Sequence, residues 1–551
     1  MHVPIWRGCA HLGWTGVGIV TELAVVPGDV GEVPSGRAIR RFTAQAARSR
    51  AGATLGSLLG SVYYTVVSVA IAAGCAAGAA QTMRGSLPPA PDVAPPQGLS
   101  VPALVALVLL GAAGVLVSLA GRLGPVGAGG AEAAWWLGLP VDRSGLLRPA
   151  ARRIALAAAV AGALVVGLLE ASLLGTGALS IVRSAATGGL AAAAAVLLTA
   201  VVQSLGVARR RTALAGDLLL AAAGALAAGL ALAGVHVDSL PSPPWPVAAA
   251  VLVVAAGLAW LVDRRLDRIP ARTLREGGSV ATHAVGAVVS LDSRELGRAL
   301  AVGTAAPARR RVGRLRLARG PASALVAADV ALLRRSPRHV VQLVLAGLLP
   351  VLATVVPQLA GVASVLVAVL AGGAVAASAS AEGARHGEMA PVLDRLLPLS
   401  ARAARRLRMV VPFTATVVWS LAVFAALARW SGTPAGWLAL GLAGAPVWAA
   451  AAVRAAYRPA PDWTKPLVAT PMGALPSGVA GVVARGPDLV VLCLLPTWIA
   501  ILLRSAGPVL LVAQVALAAI AFAVGSSTST ESMMDRLARQ MDEQSKQGGG
   551  R

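Results

Sequence analysis

Residues 101–120 read Val101-Pro-Ala-Leu-Val-Ala-Leu-Val-Leu-Leu-Gly-Ala-Ala-Gly-Val-Leu-Val-Ser-Leu-Ala120, without one charged side chain. That length matches the ~20 residues a helix needs to cross hydrocarbon. Uncharged runs recur at 154–169, 186–202 and 247–262. None alternates with period two, and Ala, Gly and Leu dominate them. They read as helices that satisfy their own backbone bonds, not as strands of a closed barrel. Small residues at this density also let helices pack closely.

Working outward, the whole chain of 551 residues is 57% hydrophobic and 13% charged, which fits water-exposed domains poorly. The expected fold class is all-α, a polytopic integral membrane protein with about 12 transmembrane helices in two six-helix halves. The first six spans are 58–80, 101–120, 154–174, 186–207, 213–235 and 247–262. The second six are 340–356, 359–379, 409–428, 435–453, 489–503 and 508–524, the eleventh being short enough to be re-entrant. The chain then divides into a cytoplasmic tail and entry helix (1–52), a first half (53–262), an Arg-rich connector (263–339), a second half (340–525) and a C-terminal tail (526–551).

The formal charge of +24 invites a nucleic-acid reading, with Arg209-Arg210-Arg211 and Arg309-Arg310-Arg311 as phosphate contacts. Those clusters adjoin apolar spans, where positive charge marks the cytoplasmic side and meets anionic headgroups, so the bilayer is the expected partner and nucleic acid is not. With the amino terminus inside, only Arg84, Arg183, Arg429 and Arg504 fall in external loops, and the other 44 basic residues stay inside or in the tails. Both termini are then cytoplasmic. Only two of the 48 basic residues are lysines, Lys465 and Lys546, which together with heavy Ala and Gly usage points to a high-GC bacterial genome and so to a bacterial plasma membrane. The first fifty residues carry Glu22, Asp29 and Glu32 within their apolar stretch, which is unlike a cleaved signal peptide. Cys9, Cys75 and Cys493 are too scattered for a disulfide frame or a metal site.

The inner loops after spans two and eight carry an echo that suggests duplication. The first runs from Glu132 through Trp135-Trp136 to Leu139-Pro140, then Asp142-Arg143 and Arg148. The second runs from Glu388 to Leu397-Pro398, then Ser400, Arg402 and Arg405. In each, a capping-type residue, Asp142 or Ser400, opens a short basic amphipathic segment. Such a segment is expected to lie along the inner membrane face with its polar side open to a partner.

These loops, with Gly124-Pro125, Leu146-Leu147-Arg148-Pro149 and the stretch from Asp462-Trp463 to Leu475-Pro476, resemble the ABC-2-type permeases of ATP-binding-cassette exporters. The similarity is closer to an uncharacterised permease-like family of high-GC bacteria, and it spans roughly residues 37–525. The resemblance implies that Glu132, Trp135, Trp136, Pro140, Asp142, Arg143 and Arg148, with Glu388, Pro398, Ser400, Arg402 and Arg405, form two docking surfaces for a separate ATPase subunit. Two six-span sets in one chain depart from that pattern and imply that one polypeptide supplies both halves.

No chemistry of its own is expected from the chain. Neither lysine stands in a phosphate-cradling GxxxxGK[ST] loop, and the six histidines form no metal-ligand spacing, so no cofactor, metal or catalytic residue is expected. If ATP drives this protein, another chain hydrolyses it. Two carboxylates lie in spans. Glu170 is either a transport-path group facing the bundle interior or an outer-interface residue beyond a span ending near Leu169. Asp217, beside Arg211, reads as snorkelling or locally paired. A secondary transporter of the major-facilitator plan is the alternative, since that class shares the six-plus-six arrangement, and a non-transporting scaffold is a third reading. A neighbouring gene for a Walker-type ATPase favours the exporter.

Overall fold

The computed structural model describes residues 34–50, 99–289, 318–458 and 485–527, apart from 236, 391, 393–395 and 433–435. It adds a hairpin within 467–476 and scattered positions between 59 and 85 and at 297, 299 and 300. Among the described residues the architecture is helical apart from that hairpin, and ten helices are long and apolar enough to cross a membrane. The expected first span, 58–80, lies largely outside the described residues, as do most of the connector between 290 and 317 and the C-terminal tail beyond 527.

In the first half α1 (Gly36–Arg50) precedes α2 (Val101–Leu123), the short α3 (Gly130–Trp136) and α4 (Arg143–Leu169). Then come α5 (Ala178–Ser204), α6 (Arg209–Ala233), α7 (Trp245–Arg265) and α8 (Ala271–Val289). The second half comprises α9 (Pro321–Arg335), α10 (Pro337–Val355), α11 (Val362–Ser380), α12 (Glu382–Met389), α13 (Ala401–Arg408), α14 (Val410–Ser431) and α15 (Trp437–Ala456). β1 (Leu467–Thr470) pairs antiparallel with β2 (Gly473–Pro476), and α16 (Pro487–Cys493), α17 (Leu495–Leu503) and α18 (Pro508–Ser526) follow.

The eleventh span is therefore not one helix. It breaks at Leu494, where φ and ψ are −99° and 11°, just before Pro496, which has no N–H to continue the ladder. The break is dressed by side chains. Gln514 of α18, fully buried, donates its amide to the Cys493 carbonyl at 2.9 Å, and its oxygen accepts from Thr497 Oγ1 at 2.9 Å. Non-helical backbone at membrane depth needs such internal partners, because lipid offers none.

Packing repeats between the halves. In the first, α4 packs on α5 and α5 on α7; in the second, α14 packs on α15 and α15 on α18. The helices paired in this way hold the same places in the two six-span sets expected from the sequence. The second half adds a dry aromatic core, with Trp419 edge-on to Trp448 at 5.7 Å and Trp448 edge-on to Trp498 at 6.5 Å. The halves meet where α6 lies against α10, through Ala227 and Ala231 on one side and Leu348, Leu352 and Val356 on the other.

Where α2 crosses α6, glycines let the two backbones meet. A Cβ on Gly114 would stand 2.7 Å from the Leu220 nitrogen and 2.9 Å from the Gly216 carbonyl oxygen, and one on Gly121 would stand 2.6 Å from the Ala213 nitrogen. A Cβ on Gly216 would run into the Ser118 backbone. Lipid tails are as apolar as leucine, so this close backbone contact, rather than hydrophobic exclusion, holds the pair together. Gly216→Val is expected to lower stability by about 1–3 kcal/mol, whereas Gly229→Val on the same helix, where a Cβ meets nothing within 4 Å, costs little; thermal unfolding in detergent compares the two.

Candidate functional site

Contacts between helix ends place many termini at one end of the bundle. The close of α2 meets the start of α6 at Gly121 and Ala213. Leu146 and Leu147 at the start of α4 pack with Val126, Trp136, Val262 and Leu266, joining α3 and the end of α7 to that end. α8 seals it from below, Gly277 and Gly278 lying directly against the backbone of Leu123 to Gly129. In the second half the start of α10 meets α12, with His339 Nε2 3.8 Å from Glu382, and α9 meets α13 through Asp329 and Arg408. The expected connector is thus partly folded: α8 belongs to the first half and α9 to the second.

The predicted docking residues all lie at this end. Asp142 caps α4, accepting from Ser144 N at 3.0 Å, Gly145 N at 3.3 Å and the Ser144 hydroxyl at 2.7 Å. The Ser144 hydroxyl hydrogen bond, outweighing the effect of burial, holds the Asp142 carboxyl below the usual carboxylate range. Ser400 caps α13 in the equivalent place, its Oγ accepting from Ala403 N at 3.2 Å. Beyond each cap the chain departs from the expected segment along the membrane face. Arg143 and Arg148 belong to the first turns of the spanning α4 itself, and α13 passes through Met409, still in helical backbone, into α14. The cap opens a helix that nothing downstream ends, Pro149 included.

The surface offered at this end is apolar at its tips. Trp135 is 77% exposed, while its neighbour Trp136 is buried with Arg40 over its ring at 5.5 Å. Glu132 closes the turn before α3 by accepting from Gly129 N at 3.2 Å. Leu139 and Pro140 are exposed between α3 and α4, and Leu396, at 75%, and Pro398 stand exposed between α12 and α13. Glu388 is half-buried on α12. Arg402 is exposed, and Arg143 half-exposed. Arg148 instead pairs with Asp263 at 2.5 Å, and Arg405 donates to the Ser527 carbonyl and lies over Tyr457 at 4.6 Å. Those two arginines brace the fold.

Glu170 lies at the opposite end. α4 closes at Leu169, and Glu170 opens a five-residue π-helical turn that ends at Gly175. Its carboxylate is 5% exposed and accepts from Thr176 Oγ1 at 2.9 Å and Ser180 Oγ at 2.8 Å. The helical backbone runs on through Glu170 to Leu174, and the buried carboxylate ties that turn to the start of α5.

The ionisable groups inside the bundle are ones that the sequence did not single out together. Arg122 of α2 pairs with Asp217 of α6 at 2.6 Å, and Ser118 donates to the same carboxylate at 2.6 Å. Arg122 Nε also donates to Ser118 Oγ at 3.1 Å. Local spacing points Asp217 at Arg211; the true partner is 95 positions away, brought near by the glycine crossing. A cavity of about 170 Å³ adjoins the pair, lined also by Arg338 and Gln342 of α10, so it lies between the halves. Nearby, burial pushes the Glu382 carboxyl up, but the adjoining Arg385, His339 and His386 outweigh this and hold it below the usual range. In the second half Arg408 reaches Asp329 at 2.7 Å and the Gly383 carbonyl at 2.7 Å, both charges buried. Gly383 and Gly387 of α12 leave room for this pair, since a Cβ on either would strike it.

Comparison with known proteins adds a family. Residues 97–466, two thirds of the chain, match a family of unknown function (DUF6297). The chain belongs to that family. Neither the curated proteins nor the solved structures give a match. The family's matched region begins just before α2 and ends before the hairpin, so it contains the turns before α4 and α13, the cavity and the junction of the halves.

Two outcomes test this geometry. Arg122→Met or Asp217→Leu alone leaves an uncompensated buried charge and is expected to cost about 3–5 kcal/mol, whereas the double variant recovers most of it; denaturation in detergent measures the cycle. Because the folded Asp142 carboxyl titrates below its unfolded value, its contribution is complete above about pH 4 and is lost as pH falls through the depressed value. The stability gap between the native protein and Asp142→Ala, about 1 kcal/mol at neutral pH, should therefore close on acidification.

Proposed function

We propose that this protein is the membrane-spanning permease subunit of an ABC-type exporter, energised by a separate ATPase chain. The observation that carries this reading is a pair of equivalent, apolar-tipped turns at one end of the bundle, Trp135 to Pro140 and Leu396 to Pro398. Each leads through a capped helix start directly into a spanning helix, so a push on the turn reaches the membrane without a flexible joint. Both belong to the end that collects most of the arginines, while Arg183, Arg429 and Arg504 lie at the other; by the positive-inside bias the turns face the cytoplasm of a bacterial plasma membrane. A soluble ATPase dimer has two such surfaces to grip.

A secondary transporter is the second reading, and one observation favours it: the buried Arg122–Asp217 pair beside a cavity between the halves is an ionisable site of the kind on which ion coupling can be built.

Arg143→Glu with Arg402→Glu changes the available charge on both turns without touching the bracing pairs of Arg148 and Arg405. Expressed in its native host, the unaltered protein should co-purify with a Walker-type ATPase, and this variant should lose that ATPase at unchanged membrane abundance. Recovery equal to the native protein removes the exporter reading. Flux that tracks an imposed proton gradient without ATP selects the second one.

A further inference from the structure

Among the described residues, the charges around the cavity between α2, α6 and α10 do not balance. Asp217 is engaged by Arg122 at 2.6 Å, and Glu382 by Arg385 at 2.8 Å. His339 also faces Glu382, at 3.8 Å. Arg338 stands within the electrostatic reach of all of these groups. Yet among the described residues it makes no hydrogen bond and no ion pair, and its side chain lines the cavity. The nearby carboxylates among the described residues are already committed, so by those residues the cavity carries one cation in excess. A partly buried guanidinium without a counter-charge is costly, and a planar fork of donors suits a tetrahedral oxyanion.

The rest of the lining fits the same ligand. Ser118 and Gln342 add polar groups, and Arg122 presents a second guanidinium. Val115, Leu119, Leu220 and Val341 make an apolar wall on the other side. The volume, about 170 Å³, is many times the roughly 15 Å³ that one water needs. The helix α10 begins at Pro337, so the positive end of its dipole adds to the rim. The site sits where α2 ends and α6 and α10 begin, at headgroup level by the proposed orientation.

We propose that this cavity is a binding site for a phosphate-bearing anion, held by Arg338 with Arg122 and bridging the two halves of the protein. The chemistry suits the phosphate of an anionic lipid headgroup, whose glycerol and first methylenes would meet the valine and leucine wall, and equally a free phosphate ester. The proposal goes beyond the transport reading and stands whether or not an ATPase docks.

The test uses the full chain purified in detergent, with thermal unfolding and native mass spectrometry as readouts. Phosphatidylglycerol, phosphatidylcholine and soluble glycerol 3-phosphate are the three probes. The native protein should be stabilised by phosphatidylglycerol and retain it, and phosphatidylcholine should do neither. Stabilisation by glycerol 3-phosphate as well identifies the phosphate ester itself as the ligand, and its absence assigns the site to lipid. Arg338→Gln should weaken binding about tenfold or more, while Arg334→Gln, exposed one turn earlier on α9, should not. Val341→Phe keeps every charge and fills the cavity, so it should weaken binding too, and it decides the matter if Arg338→Gln fails to fold. No preference for the anionic probes, or equal losses in Arg338→Gln and Arg334→Gln, or full binding by Val341→Phe, overturns the proposal.

Discussion

Backbone contact between α2 and α6 is the interaction on which the first half depends. In hydrocarbon no water competes for polar groups and none is released when apolar surfaces meet, so helices adhere by close fit. Gly114, Gly121 and Gly216 allow that fit, and it alone brings Asp217 to Arg122. The ion pair then fixes the register of the crossing, because sliding either helix by one turn would leave both charges without partners in a poor solvent for them. α10 completes the arrangement by laying its polar N-terminal turn over the same spot, and the junction of the halves acquires a polar cavity in an otherwise apolar seam.

Charge is therefore used in two ways at one end of the molecule. Buried pairs, Arg122 with Asp217 and Arg408 with Asp329, join elements distant in sequence, while exposed arginines such as Arg402 are free to meet headgroups or a protein. The two halves reach the same plan with different side chains. The capped entry into α4 rests on Asp142 and the entry into α13 on Ser400, and the brace behind the first turn is Arg148 with Asp263 whereas behind the second it is Arg408 with Asp329.

The apolar runs were legible because the bilayer imposes a length and a composition that survive any packing arrangement, and the helix caps were legible because a cap is local. The ten long helices and the roles of Asp142 and Ser400 at helix starts rest on those two facts. What lay beyond the sequence is non-local. Nothing near Asp217 names Arg122, and a run such as Leu489 to Leu503 has the apolarity of a span although Pro496 divides it. The basic segments were expected to lie flat on the membrane because their amphipathic pattern has that meaning in isolation; joined to an unbroken helical ladder, they become its first turns. Arg148 and Arg405 look like surface charge in the sequence, but the fold supplies Asp263, Ser527 and Tyr457 as their neighbours.

The divided helix of the second half bears on how this membrane domain is able to move. An interruption in a spanning helix is usually thought of as a pivot, but here the Cys493 carbonyl is bound by the amide of Gln514, which is itself tied to Thr497 beyond the break. Swinging α17 away from α16 would strip that carbonyl in a place where no solvent replaces the bond. The interruption works as a latch, so α16, α17 and α18 are held together as one block across the break.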